Sequence, residues 1–110
     1  MDAGRLNQKL EVWAMVKLPN ELNEMDYVPR MLKAVHAEII PQTGSLQRQQ
    51  GIETVLSQVT HKVIVRYLSG KFITPDMWML YRGQRFNIRF ILDPFMRHEK
   101  LELFCEEVIG

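Results

Sequence analysis

Three histidines, one cysteine and a group of glutamates near the C-terminus are the side chains whose types could do chemistry. The histidines are His36, His61 and His98. They show neither His-x-x-x-His nor His-Glu-x-x-His spacing, the patterns that bring imidazoles to one face around zinc. His36 and His61 fall inside strand patterns and His98 in a loop, so each reads as structural. His61 shares a side with Val63 and Val65 and is expected to hydrogen-bond a neighbour at a barrel rim. Cys105 alternates with Leu101 and Leu103 and reads as a buried small hydrophobe. A nucleophilic cysteine needs a base and an electropositive setting, and the sequence announces neither. Glu102, Glu106 and Glu107 could be taken for paired carboxylates, but successive strand residues face opposite ways. Glu102 and Glu106 therefore read as a solvated or intersubunit face. With no glycine-rich phosphate loop, nucleophile elbow or kinase signature, the expectation is no catalytic site, no metal and no cofactor.

Binding chemistry is the other possibility. Arg85, Asn87 and Arg89 share one strand face, and Lys62 and Arg66 share another. If those strands pair, the cations could form a patch for nucleic acid or for an acidic partner. Aromatic residues do not interleave with them as on a base-stacking platform, so ordinary solvated positions are the simpler reading. A net charge of +1 gives no bulk attraction to nucleic acid or membrane. A monomeric small β-barrel that binds single-stranded nucleic acid stands as the alternative function.

The elements that must hold these residues are strands. The 110 residues suit one domain, 1–110, with one real core. A single cysteine excludes an intrachain disulfide and fits a reducing compartment. No apolar run approaches the ~20 residues of a transmembrane helix, and Met1–Arg5 lacks a signal-peptide core. The expected site of synthesis is the cytosol, with no membrane partner.

Val59 to Tyr67 is the clearest strand, with Val59, His61, Val63, Val65 and Tyr67 on one face. A first strand is expected from Lys9 to Leu18, ended by Pro19-Asn20, with Trp13 and Met15 on a partly covered outer face. Residues 20–30, with Glu21, Glu24 and Asp26, read as an acidic connecting loop. A second strand runs from Leu32 to Ile40 and stops at Pro41. The stretch Gln42 to Ser57 is long, polar and glutamine-rich, the composition of a functional or mobile loop, with a short helical turn near Ser45–Gln50. Met77–Tyr81 and Arg85–Leu92 form a hairpin bent at Gly83. Met96–Lys100 reads as a polar loop, and Leu101–Glu106 as the last strand. The fold class is all-β: a six-stranded antiparallel barrel or sandwich with a long internal polar loop and at most a short helix.

Several of these pieces, in order, resemble a known family. Thr60-His61-Lys62 leading to Arg66-Tyr67 is similar to the T-H-[RK]-x-x-[IV]-R-Y strand of the tailed-phage head–tail joining, head-completion or "stopper" proteins. Gly4-x-Leu6 before Lys9–Val12 resembles the family's opening. Ala37–Pro41 followed by Gly44 resembles its W-A-x-[IV]-x-P-x-x-G, and Tyr81–Ile88 its Y-x-G-R-x-[FY]-x-I hairpin. Asp93-Pro94 and Leu101–Glu107 resemble its ending. The chain departs from the pattern at His36, where tryptophan is usual, at Leu46, where an acidic residue is common, and in 20–30, which lack a Gly-Gly turn.

The resemblance implies a small barrel that assembles as a ring, typically dodecameric, beneath the portal and adaptor proteins of a phage or prophage particle. Because ring interfaces often form by coupled ordering, the isolated chain is expected to be a monomer. Such a ring closes the DNA exit channel after packaging and docks tail proteins, with packaged double-stranded DNA in or against the channel. It belongs to the virion, after a period in the bacterial host cytoplasm. On that picture Gln42, Thr43, Gly44, Ser45, Leu46, Gln47, Arg48, Gln49, Gln50 and Gly51 form the channel-gating loop. The loop's glutamines offer uncharged donors and acceptors for pairing between copies without strongly attracting DNA. Trp13, Met15, Glu21, Glu24, Asp26 and Phe104 are the expected subunit or partner contacts. Thr60, His61, Arg66, Tyr67 and Gly83 are expected to serve the fold.

Overall fold

Alternation of apolar and polar residues over six segments gives six strands, and every strand finds two neighbours. The computed structural model describes residues 6–42 and 59–109. The strands are β1 (Gln8–Pro19), β2 (Met25–Pro41), β3 (His61–Arg66), β4 (Trp78–Tyr81), β5 (Gln84–Leu92) and β6 (Lys100–Val108). A four-residue helix, α1 (Tyr67–Gly70), follows β3, and a 3₁₀ turn (Pro94–Met96) precedes β6. All neighbours are antiparallel, and the sheet closes into a barrel in the order β1-β2-β3-β6-β5-β4. The inward positions fill the interior: Leu10, Val12, Val63, Val65, Met79, Phe86, Leu103 and Cys105 are all essentially inaccessible. Burying a thiol this deeply disfavours its charged form, and the Cys105 thiol is pushed up to about 12. It is a core residue, as its alternation with leucines suggests.

Two sequence expectations give way to a different arrangement. Residues 20–30 are not a connecting loop: a tight turn occupies Asn20–Glu24, and β2 begins at Met25. Asn20 builds that turn, its Oδ1 accepting from the N–H groups of Leu22 and Glu24 at 2.9 Å each. The strand expected over Val59–Tyr67 is shorter, His61–Arg66, and Tyr67 opens α1 instead. The hairpin at Arg82-Gly83 matches its expectation. Both central residues have positive φ, 50° and 83°, the primed geometry whose twist suits two-residue hairpins. Of the expected gating loop only Gln42 is described; Thr43 to Gly51, with the helical turn expected at Ser45–Gln50, lie outside the described residues.

β1 and β2 are longer than their neighbours allow. β1 pairs with β4 only through Glu11–Trp13, and β2 pairs with β3 only from Ala37 onward. Beyond those points the two strands have only each other and form a two-stranded arm. A bulge at Leu32 separates the arm from the barrel, since Val12 faces Lys33 while Trp13 faces Met31.

At the arm end of the barrel, α1 packs back over β3 through Gly70. A Cβ built there would sit 2.5 Å from Val65 Cγ2, and Val65 has no exposed surface. Gly70→Ala should therefore destabilise the fold by roughly 1–3 kcal/mol through overpacking. In urea denaturation, Gly70→Ala combined with Val65→Ala should cost less than the sum of the two changes. A fully additive pair would contradict this contact.

Candidate functional site: two unlike barrel ends

The strand directions sort the connections into two ends. One end carries the arm, α1, the 74–77 turn and the 93–99 loop; the other carries Leu6, Gln42, Thr60, the Arg82-Gly83 turn and Val108. Among the described residues, the large apolar side chains left exposed are unevenly shared. Val108 and Ile109 lie at the far end; all the others lie on the arm or at its end of the barrel.

Thr60 is the hub of the far end. Its N–H donates to Cys105 O at 2.8 Å, its carbonyl accepts from Gln42 N–H at 2.9 Å, and its Oγ1 accepts from Glu107 N–H at 2.7 Å. These bonds tie the end of β2, the start of β3 and β6 together where the 43–58 segment leaves and returns. His61 Nδ1 lies 2.9 Å from Thr60 Oγ1, and its ring meets Phe86 edge-on at 5.0 Å. The expected rim hydrogen bond of His61 is therefore made to its sequence neighbour.

At the arm end, one arm face is nearly uncharged. Met15 faces Pro29, Lys17 faces Tyr27 and Pro19 faces Met25 across the ribbon, with Trp13 and Met31 beside them. Tyr27 is 65% exposed and Met15 and Met25 are each 48% exposed. Trp13 is half-buried, its Nε1–H donating to Glu11 Oε1 at 3.0 Å. Glu21, Glu24 and Asp26 gather at the tip. Across the end of the barrel, Asp93 holds a tight loop: its Oδ1 accepts from His98 N–H at 3.1 Å and its Oδ2 meets His98 Nδ1. Tyr67 lies against the His98 ring, centroids 4.5 Å apart. Phe95, Met96 and His98 all adopt positive φ there, an uncommon conformation for bulky residues, and Phe95 and Met96 point outward, 85% and 81% exposed.

The barrel wall does not make a basic patch. β6 lies between β3 and β5, so the two rows of cations never pair with each other. Lys62 meets Glu102 at 3.6 Å and Arg89 meets Glu106 at 2.8 Å. Those glutamates, read from sequence as one strand face, do share a face, and each is taken up by a cation. Phe104, expected at a subunit contact, lies away from the arm. It is 4% exposed and stacked on Phe90 at 4.5 Å, in a small outer cluster with Val59. Its apolar surface is already covered within the chain. Among the described residues no group of three His, Cys, Asp or Glu side chains could hold a metal ion.

Residues 1–108 match the model of the phage head completion protein family. The chain belongs to that family. These are structural phage proteins of virion assembly, which work together with other phage structural proteins. Two solved structures share the fold of this head completion protein. One is the solution structure of protein SF1141 from Shigella flexneri 2a, with a TM-score of 0.76 and 19% identity over 97% of this chain and 96% of that one. The other is a chain from the virion of the native gene transfer agent particle, with a TM-score of 0.60 and 18% identity over 96% and 98%. Among curated proteins no sequence matches.

Of the family-motif residues, Thr60, His61 and Gly83 hold the far end of the head completion barrel, while Arg66 and Tyr67 stand at the arm end. The structure brings Met15, Glu21, Glu24 and Asp26 together on the arm, with Trp13 at its base. Sequence reading singled out neither Phe95 nor Met96, and it did not show that Arg66 stands opposite Lys100 in the β3–β6 ladder. The available signal was Phe95-Met96 straight after Asp93-Pro94, two large apolar residues inside turn chemistry.

Because Thr60 Oγ1 is the acceptor for Glu107 N–H, Thr60→Val keeps the shape and orphans that donor. The bond is exposed, so water can reach the freed donor and the expected cost is roughly 0.5–1.5 kcal/mol, with faster hydrogen exchange at Glu107, while Thr60→Ser stays near wild type. Equal stability of Thr60→Val and wild type would refute the role given to this hydroxyl.

Proposed function

We propose that this head completion protein is a ring component of the head–tail connector, seated below the portal and adaptor, that closes the DNA exit channel after packaging and docks the tail. It acts without catalysis. The observation that carries the reading is a family match over nearly the whole chain on a barrel whose ends differ in kind. An end rich in exposed apolar groups suits docking to other proteins, because patches of this kind mark interaction sites. The fold likeness to a chain of the gene transfer agent virion supports a place in the particle.

Closure is the role that the family resemblance implies for Gln42–Gly51. Its support among the described residues is the rooting of that segment at Gln42 and Thr60, away from the arm. The alternative of a single-stranded nucleic-acid module loses its main feature, since β6 carboxylates separate and engage the cation rows.

Particles assembled without this protein should package DNA, then lose it to nuclease and fail to join tails. Restoring the chain with Leu46–Ile52 deleted should recover tail joining but not DNA retention. Full, nuclease-resistant, tailed particles formed in the absence of the protein would overturn the reading.

A further inference from the structure

The arm and the 93–99 loop occupy opposite sides of the barrel. In the closed order β1-β2-β3-β6-β5-β4, the β1–β2 pair lies across from the β6–β5 pair. Each side is incomplete in a complementary way. The arm shows an apolar face and ends in Glu21, Glu24 and Asp26; among the described residues none of the three has an ion-pair partner. Across the barrel, a groove of about 520 Å³ is lined by Leu92, Pro94 and Phe95 on its apolar side and by Arg97 and Lys100 on its rim. Arg66 stands directly opposite Lys100 in the β3–β6 ladder. Like charges facing each other across strands destabilise a sheet unless an anion joins them. Neither cation has a carboxylate partner among the described residues. Glu102, also in the lining, is already held by Lys62, which leaves Glu99 as the groove's free acid.

The edges of the arm are poor docking sites, which leaves its faces. Asn20 N–H donates to Glu24 O at 2.7 Å, and ladder alternation then turns the outer backbone groups at Tyr27, Pro29 and Met31 away from β1. Pro29 has no N–H to offer there, so it blunts that edge.

We infer that the arm of one copy lies in the Leu92–Phe95–Lys100 groove of the next copy, its acidic tip against Arg66, Arg97 and Lys100. Such a contact is head-to-tail, using different surfaces on opposite sides of each barrel. Contacts of this type build a ring when the rotation closes. The inference rests on the ring proposed above and names its interface.

The test mixes the Tyr27→Cys and Phe95→Cys variants of the full chain under mild oxidation at low ionic strength. Both positions are exposed, and Cys105 is buried. Mixed disulfide dimers should form about ten-fold faster than either homodimer, and ten-fold slower when Glu21, Glu24 and Asp26 are changed to Lys, the scale of losing several rim charge pairs. Changing Arg66 and Lys100 to Glu in the Phe95→Cys partner of that arm variant should restore the rate. Equal rates for mixed and homodimers, or no rescue, would overturn the inference. The native mass of the unlinked protein separates the two claims. Oligomers of wild-type mass in the arm-reversed variant would discard this interface and keep the ring. A chain that stays monomeric with no trapping would discard this interface and leave the ring, expected only in the particle, to the particle experiment above.

Discussion

The insertion of β6 between β3 and β5 is the constraint on which the rest depends. Without it the sheet has two open edges; with it the barrel closes and every inward side chain has a full shell of neighbours. The same strand carries Leu101, Leu103 and Cys105 inward, and Glu102 and Glu106 outward between two rows of cations. It also receives Thr60 at one end, while at the other Asp93 and Tyr67 hold the tight loop that leads into it. A closed barrel has little left to offer along its wall. Its connections and its overlong strands are where contacts with other molecules must be made.

That division explains how the chain can be stable and still sticky at one end. The core is complete without help, as the inaccessible Phe86, Leu10 and Met79 attest. The arm is not: two strands with no third neighbour are weakly stable in water, and here one face is built of Met, Tyr, Trp and Pro. The loop at Phe95 and Met96 holds an uncommon backbone conformation to keep two apolar side chains in solvent. Such features persist when another surface needs them. In a family of structural phage proteins the natural source of that surface is another protein of the particle.

Much of the barrel was legible in the sequence because period-two patterning dictates which residues face inward. Cys105, the Gly83 hairpin and the six strands follow from it directly. The arm was hidden by Pro29, which reads as a strand breaker. It is accommodated because its missing N–H falls on an edge with nothing to bond. The acidic run at 21–26 looked like loop, yet Asn20 folds it into a turn and leaves the carboxylates at a tip. Strand order was not legible at all: Lys62, Arg66, Arg85 and Arg89 looked ready to form a patch, and only the position of β6 decides that they do not. Phe104 misled for the same reason, since alternation puts it outside the barrel but cannot say that Phe90 and Val59 cover it there.

The central claim is that one barrel with two unlike ends builds a ring at the head–tail junction. Electron cryo-microscopy of that junction in assembled particles tests it most directly. The account predicts multiple copies around the channel axis, each arm crossing to the β5–β6 end of its neighbour. A single copy, or a ring whose arms touch no neighbouring barrel, would contradict it.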